Sequence, residues 1–407
     1  MALNFSIVDR FVSEYGEVMH DRTLLRHDRY DILVSLRQTL WEALRDAERF
    51  EAELHRMLES IDGAMDFNVL GKYHATSVEG VKIYFEEEQT VADVHDLFRI
   101  VRDRLTSRVL TLAEEEMAAS GFGRPPSDYC WIGLGSEGRD EQTFLTDQDN
   151  MLVYEGQGAG AGDGPCSPER YYEEFSNRVM ERLSQVGFEK CKGGIMPSNG
   201  KWRGSVEDWM ERIEKTLQGG ELLELLDLII MTDARVMHGD RRLFDAVLER
   251  FFALLKENRH IMKRITETAV AMPTALGFFG KFRLETEGDH RGMFNLKVLG
   301  WSPLIMSVRA LALAEGLYET NTLKRIKRLR EMNVVKKETA SDLIEAYLLF
   351  ARFRIMSQIG REGSDGRSYI DPGRLAGEES GKLRKAMKTV EGFQKYLHEV
   401  VLFGEPL

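Results

Sequence analysis

The period of the hydrophobic pattern changes abruptly in this chain, and the place of the change limits the folds open to it. Up to about residue 122 apolar residues recur every three or four positions, as in Ile32, Leu33, Leu36, Leu40, Leu44, Phe50, Leu54 and Leu58. From about Val91 to Met117 the same spacing carries Val94, Leu97, Val101, Leu105, Val109 and Leu112, which predicts long amphipathic helices. GFGRPP, Gly121 to Pro126, then interrupts the chain. Immediately afterwards DYCWIGLG and NMLVYE are apolar runs too short for helices and bounded by turn residues, so they read as strands. Beyond Gly239 the helical period returns, over 241–256, 302–316, 336–358 and 379–401, with no internal repeat. The expectation is an α+β chain, predominantly α: an N-terminal helical region (1–122), a small mixed-sheet core (123–240) and a C-terminal helical domain (241–407).

A chain of 407 residues exceeds one typical domain two- to threefold. Its 67 acidic and 55 basic side chains leave a net charge of −12, which disfavours nucleic acid as a partner because a phosphate backbone is repelled. Hydrophobic content of 43% with 30% charged residues excludes a disordered chain. Three scattered cysteines, Cys130, Cys166 and Cys191, form neither a disulfide framework nor a CxxC site. The start MALNFSIVDRFVSEYGE lacks a signal-peptide pattern, and no stretch approaches eighteen uncharged apolar residues. A cytoplasmic protein with no membrane partner is expected. Two glycine-rich segments, 156–168 and 360–375, read as surface loops. Ser167 and Pro168 supply the N-cap and first position of a helix that Gly187 ends.

The chemistry concentrates in GLGSEGRDEQTFLTDQDNMLV, Gly133 to Val153. A strand ends in Gly-Ser, a polar loop follows, and a second strand carries Asp147 and Asp149. On a strand, residues two apart share a face, about 7 Å apart along the chain. Two carboxylates so held ask for a cation, and oxygen-only ligands suit Mg²⁺ bound with phosphates. Gly133, Gly135 and Gly138 let backbone N–H groups approach an anion, Ser136 adds a hydroxyl, and Arg139 can pair bidentately with phosphate. A lone D-x-D could equally cap a hairpin; the Gly-Ser upstream and the arginine between favour a nucleotidyl-transfer site.

These residues resemble a known signature. Gly135-Ser136 followed by Asp147-x-Asp149 is similar to the DNA polymerase β-like nucleotidyltransferase superfamily, and GSEGRDE leading to TDQD resembles the PII-uridylyltransferase type. With CKGGIMPSNGKWRGSVEDW, DARVMHGD, LKVLGWSPLIMSVRALAL and NTLKRI, residues 92 to 400 resemble a nucleotidyltransferase family often fused to CBS or cyclic-nucleotide-binding domains. The resemblance implies a nucleotidyltransferase core followed by a C-terminal substrate-binding domain. It implies that Gly135 and Ser136 hold the β- and γ-phosphates with support from Arg139, and that Asp147 and Asp149 bind Mg²⁺, or Mn²⁺ in its place. Such enzymes move NMP from a nucleoside triphosphate to a hydroxyl, here with a PII-like signalling protein as a candidate acceptor. A third carboxylate usually completes the site. The strand expected to carry it, near FEKCKGGIM, offers only Glu189, so Asp233 is the other candidate, against the alternative that it pairs with Arg235 or Arg203 inside the fold. A catalytically weak or silent nucleotide-binding module on the same fold is the competing reading.

Weaker signals remain. Trp202 and Arg203, before a helix capped by Ser205 and Asp208, could stack on a base and contact phosphate, or pack inside. Lys297, Arg309, Lys324 and Arg325 could turn a positive face of the C-terminal helices toward bound triphosphate. The pairs His20-Asp21, His27-Asp28 and His95-Asp96 lack the further ligands of a metal-dependent hydrolase and read as solvated helix faces.

Overall fold

A computed structural model describes residues 11–12, 15–16, 18, 21, 23–145, 147–156, 166–218, 222–277, 280–359 and 368–402, and separates into two compact units, Met1–Arg108 and Val109–Leu407. Most of both glycine-rich segments, 157–165 and 360–367, lies outside the described residues, as do Thr146 and His20. The architecture is α+β with helix predominating.

In the first unit the predicted amphipathic stretches are helices α1 (Arg26–Asp62), α2 (Phe67–Glu88) and the start of α3 (Val91–Ala119). Leu70, Val81, Phe85, Val94, Phe98, Val101 and Leu105 form its core, and Arg104 pairs with Asp62 at 2.9 Å. The 37-residue α1 buries Ile61 at its end, whereas Leu33, Leu40 and Leu44 of its apolar stripe are exposed. His95, expected on a solvated face, is instead buried, because its position falls on the Val91–Val94–Phe98 side of α3.

The second unit is built on a four-stranded sheet of order β5-β3-β1-β6. The strands are β1 (Tyr129–Gly133), β3 (Asn150–Tyr154), β5 (Arg203–Ser205) and β6 (Arg235–Gly239). β1 runs antiparallel to both neighbours, with Gly133 opposite Asn150 on one side and Arg235 on the other, while β5 is parallel to β3. β1 and β3 are buried at every position, which is why both read as unbroken apolar runs rather than alternating ones. Helix α5 (Pro168–Val186) packs Tyr172 on Tyr154 at a ring separation of 4.6 Å; Ser167 accepts from the Arg170 N–H and Gly187 closes it at φ 113°. Helix α6 (Val206–Leu217) begins with the predicted Ser205–Asp208 capping box. A turn after helix α7 (Leu222–Met231) carries Asp233 into β6.

Of the remaining helices, α8 (Arg241–Glu257), α10 (Ser302–Ala314), α12 (Lys337–Ile359) and α13 (Gly377–Leu397) fall on the four segments named from the sequence, while α9 (Arg259–Ala271) and α11 (Thr322–Glu331) lie between those segments. Lys297–Ala314 is long and apolar enough by composition to cross a membrane, but 67% of it is buried inside the protein, as a core helix would be. The segment after 367 is not wholly loop: β8 (Tyr369–Ile370) pairs antiparallel with β7 (Phe294–Asn295).

Candidate active site

β1 ends at Gly133, and the chain turns at once through a four-residue helix, α4 (Gly135–Gly138). Two glycines are required here on steric grounds. At Gly135 φ is +55° and a Cβ would stand 2.8 Å from Asp149 Oδ2; at Gly138 a Cβ would stand 1.9 Å from the Asp233 carbonyl oxygen. The Leu134 N–H donates to the Asp149 carbonyl at 2.7 Å, locking the turn beside the strand that bears the acids. Below it, Glu137 accepts from Gln142 Nε2 and Asn150 Nδ2, each at 2.9 Å. Much of the GSEGRDEQ motif therefore holds the turn rather than facing ligand.

Asp147 and Asp149, expected on one strand, do not lie on one continuous strand. Asp147 opens a two-residue strand, β2 (Asp147–Gln148), paired parallel with β4 (Glu189–Lys190), and the chain breaks at Asp149 before β3 begins in the other sheet. At the break Gln148 is buried, and its Nε2 donates to the Phe188 carbonyl at 2.8 Å. Both acids still line one cavity of about 520 Å³ together with Gly135, Ser136, Arg139, Lys297, Arg309 and Arg354. Burial above all, with Asp147 nearby, raises the Asp149 carboxyl above its ordinary range, opposed by a Cys191 hydrogen bond, Lys297 and Arg139. Its buried Oδ1 has no hydrogen-bond partner among the described residues. A desolvated carboxylate with a second acid beside it is of the oxygen-ligand type that suits a hard divalent cation.

The two candidates for a third carboxylate part company. Glu189 stands opposite Asp147 in the β2–β4 pair, exposed at the rim of the same cavity. Asp233 is fully buried and outside the cavity lining. Arg139 Nη1 donates to its Oδ2 at 2.6 Å, and Arg325 Nη1 and Arg309 Nε donate to its Oδ1 at 3.0 Å each. Arg309 also grips Oδ2 with Nη2. Burial would raise this carboxyl, but Arg309, Arg139 and Arg325 outweigh it and hold it down at about 2. With its oxygens spent on three guanidiniums, Asp233 is a structural anchor rather than a base or metal ligand. The partners considered for it, Arg235 and Arg203, go elsewhere: Arg235 to Asp140 at 2.7 Å, Arg203 to the Pro197 carbonyl at 2.5 Å. Among the described residues no group of three His, Cys, Asp or Glu side chains is gathered for a metal.

The basic residues also sort by place. Arg139 and Arg309 reach the cavity while holding Asp233, and Lys297 stands exposed at its edge. Arg325 is buried behind them and Lys324 is exposed away from the cavity lining. Trp202 and Arg203 are buried on the far side of β3, Trp202 against Trp209 at a ring separation of 6.3 Å, so neither joins the cavity. Sequence reasoning missed Glu141, whose carboxylate accepts from Arg139 Nε and from the Thr322 N–H at the start of α11, both at 2.7 Å. It also missed Arg354 and Trp301, which line the cavity. No local pattern marks α12 Arg354 as different from other helical arginines; only the packing brings it to the site.

Comparison with known proteins agrees with this geometry. Residues 77–221 match the family described as "Putative nucleotidyltransferase DUF294", and residues 259–401 match the "Putative nucleotidyltransferase substrate binding domain". Over 81 residues the chain is 36% identical to a bifunctional glutamine synthetase adenylyltransferase/adenylyl-removing enzyme of Stenotrophomonas maltophilia, a stretch that is 19% of this chain and spans only 9% of that relative. The two family matches together cover well over half of the chain, one containing the glycine turn and acid pair and the other containing Arg309 and Arg354. The chain belongs to the DUF294 nucleotidyltransferase family and carries both its nucleotidyltransferase domain and its substrate-binding domain.

Proposed function

We propose that the protein transfers a nucleoside monophosphate from a nucleoside triphosphate to a hydroxyl acceptor, releasing pyrophosphate. The observation that carries this reading is that one cavity is lined both by the acids Asp147 and Asp149 and by the arginines Arg139 and Arg309, together with Gly135 and Ser136 of the turn that leads into Arg139. Asp147 and Asp149 would hold Mg²⁺, or Mn²⁺. A cation bound there supplies charge stabilisation for the attacking and leaving oxygens. Gly135 and Ser136 offer close approach to the phosphates, and Arg139 and Arg309, fixed by Asp233 and desolvated, present donors that need no reorganisation as charge develops. The acceptor is a protein hydroxyl: the motif resembles the PII-uridylyltransferase type, which makes a PII-like protein a candidate, and the relative in Stenotrophomonas bears the name of an enzyme acting on glutamine synthetase.

One observation favours a nucleotide-binding module with weak turnover: Glu189, the remaining candidate for a third carboxylate, is exposed at the rim. The two readings separate in one experiment. The protein is incubated with each α-labelled nucleoside triphosphate, Mg²⁺ and candidate protein acceptors, beside Asp147→Asn. Label transfer that disappears in the variant supports the enzyme. Metal-dependent nucleotide binding with neither transfer nor pyrophosphate release across the acceptors overturns it in favour of the module.

A further inference from the structure

Around the basic pole of the cavity the buried charges do not balance. Four guanidiniums, of Arg139, Arg309, Arg325 and Arg354, are buried there, and among the described residues the buried carboxylates bonded to them are two, Glu141 and Asp233. Asp233 is shared by three of the arginines. Glu141 is shared by Arg139, the Thr322 N–H and Tyr347. Arg354 is the one left over. It is 6% exposed, lines the cavity, and has no ion pair among the described residues; its Nε and Nη1 have no hydrogen-bond partner, and its guanidinium lies 4.6 Å from the Trp301 ring. Burial, then the neighbouring Arg139, push it down to about 10, so it remains charged at neutral pH. A buried cation without a counter-ion is unfavourable unless a ligand completes it.

We infer that Arg354, with Arg309 and Arg139, forms an anion subsite contributed largely by the C-terminal helical region, which takes the terminal phosphates of a nucleoside triphosphate and makes affinity depend on the number of phosphates. The triphosphate as ligand rests on the function proposed above; the subsite itself rests on the unbalanced buried charge. The planar fork of Arg354, placed beside the Trp301 ring, suits phosphate oxygens and would lose much of its fit as a lysine. Arg139 links the subsite to the Gly135-Ser136 turn, so an anion seated there points the rest of the ligand toward Asp147 and Asp149.

The probes are inorganic and need no acceptor. Calorimetry on the full chain, metal-free, compares orthophosphate, pyrophosphate and tripolyphosphate for wild type, Arg354→Met and Arg354→Lys. Expected is tighter binding as phosphates are added, a loss of about tenfold or more for tripolyphosphate in Arg354→Met, and a smaller loss in Arg354→Lys. Ligand-free Arg354→Met should unfold at the same temperature as wild type or higher, because an unbalanced charge is replaced by an apolar chain that still covers Trp301. Unchanged tripolyphosphate affinity in Arg354→Met, or a lower unfolding temperature with unchanged affinity, overturns the subsite and makes Arg354 structural. Should Arg354→Met fail to fold, Arg354→Lys decides: a several-fold loss at an unchanged unfolding temperature supports the subsite, and wild-type affinity sinks it. Graded, Arg354-dependent polyphosphate binding without label transfer would leave the subsite standing and remove the transferase reading. Transfer indifferent to Arg354→Met would do the reverse.

Discussion

Asp149 and Asp233 are aspartates of one unit, both candidates for the same catalytic role, and their surroundings drive them in opposite directions. Asp149 is raised by burial and by Asp147, with one buried oxygen lacking a partner. Asp233 is more deeply buried, yet three arginines hold it at about 2. Burial penalises the charge in both places; the number of fixed cations within hydrogen-bond reach decides the outcome. The first arrangement leaves a desolvated charge unsatisfied, which is what the proposed cation would relieve. The second is already satisfied and spends its charge on joining the sheet to α10 and α11.

That contrast can be broken or sharpened by substitution. Asp147→Asn should reduce label transfer by about 10³-fold, the scale of one lost preorganised contact at the reacting phosphate, while denaturant unfolding stays near wild type. Asp233→Asn should behave oppositely, costing roughly 3–5 kcal/mol in denaturant unfolding because three guanidiniums lose their shared anion. If it unfolds like wild type and loses only transfer, Asp233 is catalytic after all and the comparison fails. Asp149→Asn, which removes a like-charge contact from a desolvated site, should abolish transfer yet stabilise the metal-free protein by about 1 kcal/mol.

The pH dependence follows from the same sign. The folded Asp233 carboxyl lies at about 2 against an ordinary 3.8, so its stabilisation is complete above pH 3.8 and is lost as pH falls toward 2. Acid titration of unfolding free energy should show this loss in wild type and lack it in Asp233→Asn. The smallest effect is expected at Arg203→Lys. That residue is buried away from the cavity, so nucleotide affinity should change by less than about twofold, with a stability cost of about 1 kcal/mol from the Pro197 carbonyl bond.

Much of the fold was legible in local pattern, because helices and buried strands announce themselves by period and by the residues that start and stop them. The α5 boundaries at Ser167 and Gly187 and the Ser205–Asp208 box are examples. Less legible was anything depending on partners distant in sequence. Trp202-Arg203 could be read either as a binding element or as packing, and its burial decides for packing; His95 reads like a solvated face and lies in a core. The motif letters GSEGRDEQ could not reveal that Glu137 holds Asn150 or that Glu141 meets the N-terminus of α11, 181 residues away.

By itself the sequence determined the helical flanks, the strand-turn-strand core and the pairing of a glycine turn with two acids, since all of these rest on neighbours within a few tens of residues. Only the tertiary structure decided which charges are available for chemistry. Asp233 was withdrawn by arginines from two distant helices and from the motif itself, and Arg354 was brought to the cavity with no ion pair among the described residues. Charge state and availability depend on what surrounds a group in three dimensions, because inside a desolvated interior the nearest fixed charges, not the local sequence, set its energy.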